Sequence, residues 1–149
     1  MDRMTLGISH DHVGITVTDE DLEATIAWYA RHLGFGVERR FASHGTTFVF
    51  LTAGGVRIEL LAGAVRRAGE PVDDVLRSMD PSRLHHFCLA VEDLDAAVSE
   101  LRDSGVPLVG GPMDVPAIGR RIAFVTDNVG TVIELSAPSG PAPGRETRR

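Results

Sequence analysis

The chain writes one module twice. HVGITVTD opens at His12 and HFCLAVED at His86, each reading His-x-x-aliphatic-x-Val-x-Asp. FVFLT at Phe48 returns as IAFVT at Ile122 with the same separation, and GVRIEL, residues 55–60, returns as GTVIEL, residues 130–135, one residue further along. Three segments repeated in one order constrain the architecture before any local reading does, because each copy must form the same supersecondary unit and share its core with the other. Between the first two segments the apolar period changes. Leu22, Ile26, Tyr29 and Leu33 are spaced as on a helix that Gly34 can close, and Leu94, Ala97, Val98 and Leu101 repeat the pattern up to Gly105. Each module therefore reads βαβββ, and the chain belongs to the α+β class. The expected boundaries are 1–61 for the first module, 62–84 for a linker, 85–137 for the second module and 138–149 for a Pro/Gly-rich disordered tail. In the linker, Pro71 at a first turn and the stripe Val72, Val75, Leu76 and Met79 predict a short helix.

Strand alternation assigns the repeated polar residues to a side. Val13, Ile15 and Val17 share one face of the first strand, and His12, Gly14 and Thr16 the other. In the second copy Phe87, Leu89 and Val91 oppose His86, Cys88 and Ala90. Ile58 and Leu60 oppose Glu59, and Ile133 and Leu135 oppose Glu134. A lone glutamate on such a strand most often faces solvent. Two glutamates and two histidines at equivalent places in two copies suggest more, since a two-fold packing of the modules would bring His12, Glu59, His86 and Glu134 around one point. That N2O2 set suits a divalent first-row metal, with positions left for water or substrate.

Composition narrows the chemistry. All 15 basic residues are arginine, so Walker-type phosphate binding and Schiff-base catalysis through lysine are excluded. A net charge of −6 argues against a nucleic-acid partner. No apolar run is long enough for a membrane span. MDRMTLGIS lacks the apolar core of a signal peptide, and Cys88 is the one cysteine, so a cytoplasmic protein is expected.

At these residues the sequence resembles the vicinal oxygen chelate superfamily, which includes glyoxalase I, methylmalonyl-CoA epimerase, extradiol dioxygenases and bleomycin- or fosfomycin-resistance proteins. The resemblance covers residues 10–137. It implies paired βαβββ modules in a partly closed mixed β-barrel, helices outside, around one divalent ion such as Co, Ni, Mn or Zn. The implied ligands are His12, Glu59, His86 and Glu134. Glu59 is surplus in the three-ligand dioxygenase and fosfomycin-type members but has a counterpart in glyoxalase I and the epimerase. LHHFCLAVEDLDAAVSELRDSGVPL and AIGRRIAF look most like the epimerase branch. Two departures stand out: Asp127, Asn128, Val129 and Gly130 replace the Asp-Pro-x-Gly of glyoxalase strands, and Phe48 and Phe50 stand where some epimerases carry a further carboxylate.

The resemblance implies a metal-dependent isomerase that removes a proton α to the carbonyl of an acyl-thioester, with Glu134 and Glu59 as catalytic carboxylates and a CoA thioester as substrate. A glyoxalase I-like lyase, a non-enzymatic antibiotic or small-molecule binding protein and a ring-cleaving dioxygenase are the alternatives. Arg57 and Arg121 are the expected contacts to substrate anions, with Arg120 as the neighbouring alternative, while Phe50 and Phe124 are expected either to line the cavity as substrate contacts or to fill the core. A homodimer is expected, with the modules pairing either within one chain or between two.

Overall fold

The computed structural model describes residues 6–70 and 72–140. Among these residues eight strands and two α-helices run in the duplicated order: β1 (Val13–Thr18), α1 (Leu22–Leu33), β2 (Gly36–Ser43), β3 (Thr46–Ala53) and β4 (Val56–Gly63), then β5 (His86–Ala90), α2 (Leu94–Asp103), β6 (Leu108–Val115), β7 (Arg120–Thr126) and β8 (Val132–Pro138). The local signals for the helices act as expected. Gly34 ends α1 in the left-handed region at φ 72°, where its N–H bonds back to the last turn. Asp93 caps α2 by accepting from the Ala96 N–H.

Each module forms its own four-stranded sheet, in the orders β1-β4-β3-β2 and β5-β8-β7-β6. The outer three strands pair antiparallel, while β1 lies parallel to β4 and β5 parallel to β8. The α+β class and the βαβββ repeat hold. The barrel does not close, because β1 and β5 are each a sheet edge and no ladder joins one sheet to the other among the described residues.

The side that alternation assigned to bulky residues is the buried one. Val49, Leu51, Ile58, Leu60, Ala123, Val125, Ile133 and Leu135 are buried against the helices. Side chains of this size each contribute about 1.5–3 kcal/mol on burial, against about 0–1 kcal/mol for an exposed ion pair, so this layer dominates. It is continuous: Leu22 and Tyr29 of α1 and Leu94, Val98 and Leu101 of α2 belong to one cluster, and the modules pair within the chain. A polar lock reinforces that pairing. The buried Tyr29 hydroxyl donates to Asp127 Oδ2 at 2.7 Å across the module boundary, and Asn128 Nδ2 donates to Thr25 Oγ1 at 3.0 Å. Asp127 Oδ1 meanwhile accepts from the Val129 and Thr131 N–H groups, so the DNVG departure is the turn that anchors α1. Tyr29 is thus more than helix packing. Burial beside that carboxylate holds its phenol above the usual range.

The expected linker helix is reduced to a single 3₁₀ turn, Arg77–Met79. Val75 gives its N–H to the Val109 carbonyl, and the Asp74 carboxylate caps Leu76, which breaks the helical ladder. Val72 and Val75 pack with Val109, Val132 and Phe124, whereas Leu76 and Met79 face outward at 74% and 67% exposure. Pro71 and the expected disordered tail from Pro141 onward lie outside the described residues. Strand β8 itself runs to Pro138, one residue past the expected module boundary.

Candidate functional site

The open side of each sheet, away from the helices, carries the repeated polar residues. In the first sheet Gly14, Glu59 and Phe50 are mutual neighbours in register, with His12 just before β1. In the second, Cys88, Glu134 and Phe124 are the corresponding neighbours, and His86 begins β5. His12 Nε2 lies 3.8 Å from Glu59 Oε1, and His86 Nε2 lies 2.9 Å from Glu134 Oε2. Both imidazoles are 33% exposed, and the carboxylates are 16% and 17% exposed. Phe50 meets the His12 ring edge-on at 5.5 Å, as Phe124 meets His86 at 5.7 Å. The duplication has produced two copies of one half-site.

The expected single four-ligand cluster differs from what is observed. Among the described residues no three His, Cys, Asp or Glu side chains gather in a metal-holding group. Each carboxylate is instead matched with the imidazole of its own module, which satisfies a half-buried charge. The donor chemistry nevertheless fits a divalent ion, because each ring turns Nε2 toward a carboxylate and has Nδ1 occupied elsewhere. His12 Nδ1 meets Asp11 Oδ2 at 2.6 Å. That hydrogen bond holds the Asp11 carboxyl below its ordinary range. His86 Nδ1 meets His85 Nδ1 at 2.9 Å, His85 Nε2 meets Ser78 Oγ at 2.7 Å, and Ser78 donates its hydroxyl proton to the Val75 carbonyl at 2.6 Å. With that proton committed, Ser78 accepts from His85 Nε2–H. His85 Nδ1 then accepts from His86 Nδ1–H, so a divalent ion that displaced the proton shared between His86 Nε2 and Glu134 Oε2 would meet an Nε2 lone pair with Nδ1 still protonated. This is the tautomer a metal ligand needs. Desolvation, with His86 and Arg83 beside it, keeps the His85 imidazole below its ordinary pKa and so favours the neutral relay.

Asp11, His85 and Ser78 were missed in the sequence. The available signal was a hydrogen-bonding residue immediately before each repeated histidine. β5 begins at His86, so strand alternation does not extend back to His85.

The expected substrate contacts are redistributed. Arg57 stays on the open side, 5.7 Å over the Phe50 ring, bonded to Glu38 at 3.0 Å with Asp11 at 3.7 Å. Phe50 and Phe124 stand on that side of their sheets, Phe124 packed against the small apolar cluster of Val75, Val109 and Val132. Phe41 and Phe48, stacked at 4.9 Å, extend the aromatic wall. Arg121 does not join them. It shares parity with the buried Ala123 and Val125, and its guanidinium binds Asp95 and Asp114. Arg120 takes the open side instead, where its Nε donates to Ser136 Oγ at 2.9 Å. Counting back by twos from Ala123 would have made that choice. Cys88 lies beside Glu134, and burial with that carboxylate pushes its thiol up to about 11, so it is no nucleophile at neutral pH.

Comparison with known proteins agrees with this architecture. The sequence profile of the Glyoxalase/Bleomycin resistance protein/Dioxygenase superfamily matches residues 11–124. The chain is 34% identical over 130 residues to an ethylmalonyl-CoA/methylmalonyl-CoA epimerase of Cereibacter sphaeroides, spanning 84% of this chain and 94% of that one. It is 30% identical over 129 residues to the mitochondrial methylmalonyl-CoA epimerase of Homo sapiens, spanning 84% and 71%. A solved glyoxalase family protein from Enterococcus faecalis shares the fold, with a TM-score of 0.69, 23% identity and coverage of 89% and 99%. No helix among the described residues is long and apolar enough to cross a membrane.

Proposed function

The chain belongs to the Glyoxalase/Bleomycin resistance protein/Dioxygenase superfamily, and from that premise we propose that it is a metal-dependent epimerase of acyl-CoA thioesters. The observation that carries this reading is the pair of equivalent imidazole–carboxylate half-sites, each with Nδ1 occupied and Nε2 directed at its glutamate. The names of the two epimerase relatives support the substrate class.

His12 and His86 would hold a divalent ion together with Glu59 and Glu134. Co, Ni, Mn or Zn would supply Lewis-acid stabilisation of the charge that develops on the thioester oxygen. Glu134 removes the proton from the α-carbon and Glu59 returns one on the opposite face, which is what inversion of a stereocentre requires. The imidazoles stay out of the proton transfer. Phe50 and Phe124, edge-on to His12 and His86, would supply the apolar surface beside the half-sites. Arg57 and Arg120 are the guanidinium groups positioned on the open side for a substrate anion.

A glyoxalase-like isomerisation of a thiol–aldehyde adduct is the second reading. It is favoured by β3, whose open side presents Phe48 and Phe50 and no further carboxylate. Incubation with methylmalonyl-CoA in deuterium oxide separates the two. Deuterium is expected at the α-carbon with the divalent ion present, and is lost in Glu134→Gln. Exchange that is absent while the methylglyoxal–glutathione adduct is consumed would hand the site to the lyase reading.

A further inference from the structure

Register makes the two open sides comparable position by position. Phe50 and Phe124 are equivalent, and the residue paired with each on the outer strand is Arg39 in β2 and Gly110 in β6. These two positions have opposite surroundings. At Gly110 the linker crosses: a Cβ there would stand 2.6 Å from Val75 Cγ1 and 3.2 Å from the Phe124 ring, so Val75 occupies the space that the missing side chain leaves. In the first sheet β2 is exposed along its whole length, and a guanidinium takes the equivalent place. Arg39 lies 5.7 Å over the Phe41 ring, which is stacked on Phe48 at 4.9 Å and on Phe50 at 6.4 Å.

Three observations single this arginine out. The first is position. Arg39 is in register with Phe50 and Phe50 with Glu59, so the guanidinium shares the open side with Glu59, their backbones two strands and about 10 Å apart. The second is charge. Arg39 is in no ion pair among the described residues, whereas Arg57 on the same side is met by Glu38 at 3.0 Å and Asp11 at 3.7 Å. Arg120 of the second sheet is bonded only to a neutral hydroxyl, but its strand partner is Pro138, well along β8 from Glu134. The third is redundancy. A charge on an edge strand discourages pairing with another chain, and Arg40 already supplies one on the opposite face, where it binds Glu23 at 2.6 Å. An aromatic floor under one uncompensated guanidinium suits a carboxylate with an apolar carbon body, because the planar fork bonds both oxygens and the ring beneath holds the fork in place.

We infer that Arg39 is the specificity residue for the acyl group: it takes the free carboxylate of a malonyl-type thioester and so selects dicarboxylic acyl groups over monocarboxylic ones of the same size. The alkyl branch on the α-carbon packs against Phe48 and Phe50. Since Val75 fills the equivalent place in the second sheet, only the first sheet offers this seat, and the carboxylate has one direction to point. With both carbonyl groups of the malonyl unit held, the α-carbon keeps its plane while one proton leaves one face and another arrives on the other. This assignment rests on the acyl-thioester reading above and names the acyl group within it.

The test measures binding of methylmalonyl-CoA and of 2-methylbutanoyl-CoA, which carries an ethyl group in place of the carboxylate, by calorimetry. The proteins are the wild type, Arg39→Gln, Arg39→Lys and Arg40→Ala. The wild type is expected to bind the dicarboxylic thioester at least tenfold more tightly, Arg39→Gln to lose that preference, Arg39→Lys to recover part of it and Arg40→Ala to keep it whole. No preference in the wild type, a preference that survives Arg39→Gln, or an equal loss in Arg40→Ala overturns the assignment. Weakened binding of both thioesters alike in Arg39→Gln, the mark of a merely structural role, overturns it too. Should neither thioester bind, the acyl-CoA reading fails separately, and free methylmalonate decides the site. Binding weakened at least tenfold by Arg39→Gln supports it; equal binding by both proteins, or none by the wild type, overturns it.

Discussion

The two modules share a sequence pattern but not an environment. In the first, the open side of the sheet is bare: Phe41, Phe48 and Phe50 form an aromatic wall overlaid by Arg39 and Arg57, and the exposed Asp11 holds His12. In the second, the linker lies across the equivalent surface. Val75 packs over Gly110 and Phe124, Val132 is buried beneath it, and His86 is held by a part-buried neutral relay that ends on the linker's own backbone. A duplicated unit connected once must become asymmetric, because the connection can cover only one copy. One half-site is thereby oriented by an exposed charge and the other by a chain of hydrogen bonds that becomes buried at Ser78.

That contrast can be broken most severely at the turn that locks the modules. Asp127 is 6% exposed and satisfies three donors, while the equivalent first-module turn, Gly54–Gly55, has no such anchor. Asp127→Ala should cost about 3 kcal/mol in denaturant unfolding, and Tyr29→Phe about 1.5–3 kcal/mol. A smaller effect is expected from testing the linker's seat. A methyl group on Gly110 would stand 2.6 Å from Val75 Cγ1, whereas one on Gly14 would stand 3.4 Å from Leu61 Cδ1. Gly110→Ala should therefore destabilise by about 1–3 kcal/mol through overpacking. Gly14→Ala should be neutral or slightly stabilising, because it restricts the unfolded chain without a clash.

The two orienting groups separate by their response to salt. His85→Ala and Asp11→Ala should each weaken divalent-ion affinity by about 10–100-fold in chelator competition. The Asp11 effect should shrink at high ionic strength and the His85 effect should persist, since exposed charges are screened and buried hydrogen bonds are not. Equal salt dependence would remove the distinction between the halves. The mildest probe is Cys88, which has its place only in the second half. Its thiol is raised from 9.0 to about 11, so the folded state holds the proton more tightly than the unfolded chain. The contribution to stability is present below about 9 and is lost as pH rises toward 11. Alkylation of the native protein should accordingly reach half-maximal rate near pH 11.

Alternation and helical period made the buried side legible. Ile15 with Val17, Ile58 with Leu60 and Ile133 with Leu135 turn inward as their spacing demands, and the same spacing puts Glu59 and Glu134 outward beside the histidines. The reading failed where a residue lay outside a strand or where a contact reached across the chain. His85 precedes its strand, and Arg120 and Arg121 were read together after Gly119 without the count back from Ala123 that separates them. The linker helix failed because its apolar stripe described a surface to be covered, and Val75 covers it through one backbone bond to Val109 without a helix.

The sequence by itself determined the duplication, the order of elements and the side on which each repeated histidine and glutamate stands, because these depend on side-chain chemistry at separations of two to four residues. Only the tertiary structure decided that the sheets stay open, that the linker caps one module, and which neighbours hold the two imidazoles. Those outcomes depend on which surfaces meet after folding: a hydrogen bond such as Tyr29 to Asp127, or a valine seated over a glycine, exists only once distant segments have been brought into contact.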